Sequence, residues 1–257
     1  GLAFFSAVLE RQAALIAHWM DLGFIHGVMN TDNTSIAGET IDYGPCAFMD
    51  EFRFDKVFSS IDRRGRYAYI NQAAIGQWNL ARLAECLLMV GGDQSEFEAE
   101  LGRFPALFDR HYLARMRRKL GLTTEATGDA ELIREWLEHL QANELDYTES
   151  FRSLSTCITG KGPTQFGEFE SRWRQRLATE SQDPQVTKAL MDSANPLFIP
   201  RNHQVERAIG DAIKGDFAVF KELAEVITRP FEQQPDHAGY ASPPTLDERV
   251  TKTFCGT

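Results

Sequence analysis

Apolar residues recur at helical spacing at the start of the chain. In residues 4–24, Val8, Leu15 and Trp19 fall on one side of a helical projection, and Gly23 follows as a residue that commonly ends helices. A broad apolar stripe of this kind is typical of a helix that packs against a protein core. We therefore expect an amphipathic helix that ends close to Gly23.

The same spacing recurs from about Gln72 onward, with glycine, proline and asparagine between the periodic stretches. The predicted helical stretches are residues 72–90, 94–121, 129–143, 145–156, 164–181, 184–195 and 202–227. The prolines of the tail from Arg229 to Thr257 predict irregular structure. The fold class is therefore predicted to be mainly α.

One short segment has a different pattern. Residues 34–37 and 39–42 flank Gly38 and contain threonine and isoleucine, which are frequent in strands. The Gly38-Glu39 pair suits a two-residue hairpin turn. The sequence therefore predicts a small β-hairpin close to the start of a helical protein.

Composition limits the classes of function. The chain has 257 residues, 43% of them hydrophobic, which is enough for one large domain or two small ones. Its net charge of -10 disfavours binding to nucleic acid or to an anionic membrane. No apolar run reaches the roughly 18 residues of a membrane span, and no signal peptide is evident. The four widely spaced cysteines form no CxxC pair, so a zinc site is not indicated.

Residues 26–45 carry the candidate chemistry. Asn33 follows His26 by seven residues, as in the catalytic loop of protein kinases, and Asp42-Tyr43-Gly44 stands where those enzymes have D-F-G. Asn33 and Asp42 would then be the oxygen ligands of a divalent cation bound to a nucleotide.

The kinase pattern is broken at the position of the catalytic aspartate. Val28 stands two residues after His26, and Val28 can neither accept a proton nor orient a hydroxyl. Gly27 replaces the kinase arginine. Asp32 is the remaining carboxylate, so either Asp32 acts as the base or the protein is catalytically dead.

Residues 23–45 closely resemble the signature of the selenoprotein O family. The likeness continues through residues 65–72, 145–152, 195–209 and 229–235. Members of this family are kinase-like proteins that transfer AMP from ATP to hydroxyl groups of other proteins.

The resemblance implies a protein-kinase-like C-terminal lobe with additional C-terminal helices over residues 1–257. It implies that Asp32 is the catalytic proton acceptor and that Asn33 and Asp42 bind Mg²⁺, or Mn²⁺ in its place, and through it ATP. ATP would bind in a flipped orientation, with its α-phosphate facing the nucleophile. Cys255 matches the position of a redox-active cysteine or selenocysteine.

Partners and compartment follow from the same resemblance. The substrates would be proteins with Ser, Thr or Tyr hydroxyls, and we expect a monomer without nucleic-acid or membrane partners. The compartment would be the bacterial cytoplasm, or the mitochondrion for a eukaryotic source.

The nucleotide-gripping lobe of the family precedes the signature, and only 25 residues stand there in this chain. We therefore expect an N-terminally truncated fragment that binds Mg-ATP weakly and is inactive alone.

Two other functions fit parts of the pattern. Small-molecule kinases of the aminoglycoside type share the His-Gly start and the asparagine seven residues after the histidine, although their base directly follows the glycine, where this chain has Val28. A non-catalytic helical interaction module would retain the motifs without using Asp32 or Asn33.

Overall fold

The computed structural model describes residues 1–160 and 166–254. In this part of the chain the structure is mainly helical, as the sequence predicts. No helix within it is long and apolar enough to cross a membrane. The chain divides into two compact units, one comprising Gly1–Ala47, Phe54–Arg115 and the residues from Lys252, the other Phe48–Arg53 and Met116–Thr251.

The first unit contains most of the predicted N-terminal elements. They are α1 (Leu2–Asp21), β1 (Phe24–Ile25), β2 (Ala47–Phe48), α2 (Gln72–Leu88), α3 (Gln94–Leu101) and α4 (Phe104–Lys119), with 3₁₀ turns at Thr31–Asn33 and Tyr69–Asn71. The last residue of β2 and the last four residues of α4 belong to the second unit. The predicted stretch 94–121 is two helices because the chain breaks at Gly102, a residue with low helix propensity. Strands β1 and β2 form the only sheet of the described residues.

The core of the first unit is built around α1. Its buried face includes Phe5, whose ring lies 5.3 Å from that of Phe97 on α3. Where α1 meets α2, a Cβ atom added to Gly76 would lie 2.1 Å from Cδ1 of Ile16. The absence of a side chain at Gly76 therefore allows these two helices to pack closely.

The predicted hairpin over residues 34–42 is wrong, because this segment is a loop without strands. Its polar groups bind to α1 instead of to a neighbouring strand. The Gln12 side chain donates to the carbonyl of Ser35 at 2.6 Å, and the Trp19 indole donates to Oγ1 of Thr40 at 2.8 Å. Local strand propensity is thus overridden by tertiary hydrogen bonds.

The second unit is a set of helices followed by an irregular tail. The helices are α5 (Asp129–Ala142), α6 (Tyr147–Cys157), α7 (Gly167–Leu177), α8 (Pro184–Ala194), α9 (Asn202–Ile213) and α10 (Ala218–Ile227). The predicted stretch 202–227 is divided at Gly215, which has a φ of +90°. Trp136 lies at the centre of an aromatic cluster, with its ring 5.7 Å from Phe151 and 4.7 Å from Phe169.

A buried ionic cluster joins three distant segments of the second unit. The guanidinium of Arg201 is 1% exposed and donates to Oδ1 of Asp50 at 2.7 Å and to Oδ2 of Asp146 at 2.6 Å. Its Nε donates to the carbonyl of Ala241 at 3.1 Å. Burial raises the pKa of Asp50, and the Arg201 cation opposes that rise. Arg201 therefore keeps two partly buried carboxylates paired.

We expect Arg201→Met to lower the free energy of unfolding at pH 7 by about 3–5 kcal/mol, because two partly buried carboxylates lose the buried cation between them. The pKa of Asp50 is already raised in the folded protein, and the variant should raise it further. The deficit should therefore shrink as the pH falls through the raised pKa of Asp50 and should be smallest below about 3.9, the ordinary pKa of aspartate, since the Asp50 carboxyl is then neutral in both states.

Urea unfolding at several pH values measures both effects. Arg229→Met is the matched control, because Arg229 is exposed and forms only surface ion pairs. Equal stability of the two variants at pH 7 would contradict a stabilising role for the cluster.

Candidate active site in the first unit

Two buried polar side chains of α2 hold the backbone that carries the predicted site. Gln72 accepts a hydrogen bond from the N–H of His26 at 3.0 Å and donates to the carbonyl of Phe24 at 2.9 Å. Asn79 donates to the carbonyl of Met29 at 3.1 Å and to Oγ1 of Thr34 at 2.9 Å. The two residues are seven positions apart, which places both on one face of the helix.

His26 lies in the core and holds two segments of the chain together. Its ring is fully buried beside Trp19, 5.2 Å between ring centroids, and Nε2–H donates to the carbonyl of Ile41 at 2.8 Å. Burial lowers the pKa of His26, although the bond to Ile41 and the negative charge of Asp42 oppose the shift. A neutral ring thus attaches the loop of Asp42 to the chain after β1.

The backbone conformation at position 27 requires a glycine. Its φ is +86°, and a Cβ atom at this position would lie 2.8 Å from the carbonyl oxygen of Pro45. A side chain would therefore meet backbone while holding a left-handed conformation that L-residues disfavour. The glycine that replaces the kinase arginine is explained by this close approach.

Asn33 and Asp32 lie in the exposed 3₁₀ turn Thr31–Asn33. The amide nitrogen of Asn33 donates to the carbonyl of Val28 at 3.2 Å, which leaves its amide oxygen available to a cation. The side chain of Asp32 is exposed, and within residues 1–160 and 166–254 it has no hydrogen-bond or ion-pair partner. A carboxylate in this state can accept a proton from a bound molecule.

Asp42 follows the anchored carbonyl of Ile41. Its φ is +54°, a left-handed conformation that aspartate adopts more readily than most residues. The side chain is exposed, and its charge reaches both His26 and Cys46. The carboxylate of Asp42 is therefore close enough to His26, the residue directly after β1, to act on its charge.

Hydrogen bonds attach the segments that carry both predicted ligands to residues 26–28. Asn33 is held at Val28, and the residue before Asp42 is held at His26. No group of three or more His, Cys, Asp or Glu residues in the described parts of the chain is placed to hold a metal ion. An ion at this loop would therefore depend on one amide oxygen, one carboxylate and phosphate oxygens, a donor set that suits Mg²⁺.

Sequence reasoning missed the residues that support this loop. Gln72 and Asn79 are polar residues on the inner face of a predicted helix, and that pattern was the available signal. Tyr67, in the turn before α2, also supports the loop, and its hydroxyl donates to Oδ1 of Asn30 at 2.6 Å. These side chains position the site and carry none of the predicted chemistry.

The predicted redox residue Cys255 lies outside the described residues. Cys46 is partly buried, and burial raises the pKa of its thiol to about 11. A thiol with this pKa is protonated at neutral pH and reacts slowly.

The comparisons with known proteins agree on one family. The family model of "Protein adenylyltransferase SelO" matches residues 1–228. Two relatives carry the name "Protein nucleotidyltransferase YdiU". The protein from Bradyrhizobium diazoefficiens is 49% identical to this chain over 271 positions, and the protein from Nitrobacter winogradskyi is 51% identical to it over 272 positions. These alignments cover 99% and 100% of this chain, and 55% and 54% of the relatives.

The chain thus spans about half the length of these curated relatives. The matches give no support to the expectation that the chain is an inactive fragment.

We expect Gly27→Ala to destabilise the first unit by more than the roughly 1–2 kcal/mol of a left-handed alanine, because the new Cβ atom also meets the carbonyl of Pro45. Gly210→Ala is the control, since nothing lies within 4 Å of a Cβ atom there. In a helix that change should be neutral or stabilising by up to about 1 kcal/mol. Thermal unfolding measures both, and an unaltered melting temperature for Gly27→Ala would contradict the constraint.

Proposed function

Because the chain belongs to the SelO family of protein adenylyltransferases, we propose that it transfers AMP from ATP to Ser, Thr or Tyr hydroxyls of other proteins. The curated relatives are named as protein nucleotidyltransferases, which is the coarser form of the same activity. We place the activity in the bacterial cytoplasm and assign it to a monomer.

One observation carries the proposal beyond the family name. Asn33 and the residue before Asp42 are attached to Val28 and His26 by hydrogen bonds, while Asp32, which directly precedes Asn33, is exposed. The loop thus offers two oxygen ligands and a carboxylate without an internal partner. This combination is what nucleotide transfer to a hydroxyl requires.

We assign each residue a separate role. Asp32 accepts the proton of the protein hydroxyl, whose oxygen forms a bond to the α-phosphorus of ATP while the bond to the β-phosphate oxygen breaks. Pyrophosphate leaves, and AMP remains on the protein. Asn33 and Asp42 would hold Mg²⁺ or Mn²⁺, which would neutralise part of the charge of the phosphates.

The position of Val28 favours this assignment over a small-molecule kinase. Val28 is buried, and its carbonyl accepts the hydrogen bond of Asn33. An apolar buried side chain offers no proton acceptor at the kinase position, so Asp32 is the carboxylate of the catalytic loop that remains for this role.

The phosphate of ATP from which a radioactive label is transferred distinguishes AMP transfer from phosphate transfer. The protein as its gene encodes it is incubated with Mg²⁺ and a mixture of bacterial proteins, with ATP labelled at either the α- or the γ-phosphate. We expect protein-bound label from α-labelled ATP only. Label from γ-labelled ATP alone would identify a kinase, and no label from either would support the non-catalytic module.

Asp42→Asn and Asp32→Asn test the two roles. Asparagine keeps the size of the side chain and tolerates the left-handed backbone of Asp42, so the fold should survive. We expect Asp42→Asn to lower transfer more than about 100-fold, as a metal ligand is lost, and Asp32→Asn to lower it about 10²–10⁴-fold, as a base is lost.

Glu39→Gln is the control, because Glu39 is an exposed acid of the same loop and is assigned no role. Raising the Mg²⁺ concentration should partly rescue Asp42→Asn and should not rescue Asp32→Asn. Transfer at the normal rate by either variant would show that its assignment is wrong.

A further inference from the structure

A groove lies directly beside the turn that carries Asp32. It has a volume of about 470 Å³ and is open to solvent on one side. Thr31 and Thr34, the residues that flank Asp32 and Asn33, line the groove together with Trp78 and Arg82 of α2. A chain lying in the groove would therefore pass next to the proposed base.

A loop rich in arginine is attached to the same turn. Within residues 62–67, the carboxylate of Asp62 accepts the N–H groups of Arg66 at 2.9 Å and Tyr67 at 2.8 Å, which orders the loop. The hydroxyl of Tyr67 then bonds to Asn30, two residues before Asp32. The side chains of Arg63, Arg64 and Arg66 remain exposed, and we call residues 62–67 the arginine loop.

Trp78 connects the arginine loop to the groove. Its indole is 43% exposed, which is unusual for so large an apolar surface beside a cavity. The guanidinium groups of Arg66 and Arg82 lie over its ring, 4.9 and 5.1 Å from the centroid. Cation–π contacts of this kind hold a guanidinium in place and leave its N–H edge free to bind carboxylates.

The charge of this surface is opposite to that of the chain. The protein carries a net charge of -10, yet the arginine loop brings three exposed cations together, Arg63, Arg64 and Arg66. Glu85 neutralises Arg82 at 2.8 Å, and Asp62 is the one carboxylate of the arginine loop, so a surplus of positive charge remains. An anionic partner would therefore be attracted here and repelled by much of the remaining surface.

We propose that the groove at Trp78 and the arginine loop together bind an acidic segment of the protein substrate, next to the hydroxyl that is presented to Asp32. This inference rests on the proposed function, because it names the substrate class of that same site. Substrates would be selected by Asp or Glu residues close to the modified Ser, Thr or Tyr.

The test uses two synthetic peptides that differ only in charge. Each contains one tyrosine followed by three residues, which are glutamates in one peptide and glutamines in the other. We expect the KM for the acidic peptide to be about tenfold lower, since two exposed ion pairs, one each with Arg64 and Arg66, contribute a factor of about three each. The preference should weaken as salt is added.

Arg64→Gln/Arg66→Gln should abolish this preference and leave the KM for ATP within about twofold. Arg103→Gln/Arg110→Gln is the matched control, because it removes the same charge from exposed arginines of the same unit that do not line the groove. Retained preference in the first variant, or a higher KM for ATP in place of a lost preference, would overturn the proposal.

A second measurement is independent of catalysis. Cys86 is exposed and lines the groove, so a bound peptide should slow its alkylation by iodoacetamide. Peptide mass mapping separates Cys86 from the other cysteines. Protection by the acidic peptide and not by the neutral one supports docking even in a protein that transfers no label, whereas equal alkylation with both peptides overturns it.

Discussion

The need to pair buried backbone polar groups shapes the candidate site. The segment from β1 to Asp42 is irregular, so it lacks the hydrogen bonds that a helix or a sheet would supply to its backbone. Gln72 and Asn79 of α2 supply them on one side, and Gln12 of α1 supplies one on the other. An exposed loop with catalytic potential is thereby fixed by side chains that lie in the core.

The same constraint explains the unusual backbone positions. The loop returns to β1 through the bond between His26 and Ile41, and this return leaves Asp42 with a left-handed backbone. Gly27 takes the complementary position against Pro45, where no side chain fits. Strained conformations of this kind persist where the surrounding contacts determine them, and they are frequent at functional sites.

Charges serve different purposes in the two units. Arg201 is buried between two carboxylates, so its charge is neutralised within the fold and contributes to the second unit's structure. In the arginine loop, Arg66 lies over Trp78 and its backbone N–H binds Asp62, and the side chains of Arg63, Arg64 and Arg66 are exposed to solvent. An internal cation thus links segments of the chain, while a surface cation is suited to recognising an acidic partner.

The sequence by itself determined the helical fold class, since apolar spacing survives any packing arrangement, and it determined the family, since residues 23–45 carry its signature. It also predicted Asn33 and Asp42 as a pair of ligands from their spacing. The polar positions of Gln72 and Asn79 on the inner face of α2 could be read from the sequence, but their hydrogen-bond partners could not, because those partners lie more than 40 positions away along the chain. Residues 34–42 have strand propensity and still form a loop. Only the tertiary structure decided that outcome, because the hydrogen-bond partners of this loop come from α1, more than 20 positions away along the chain.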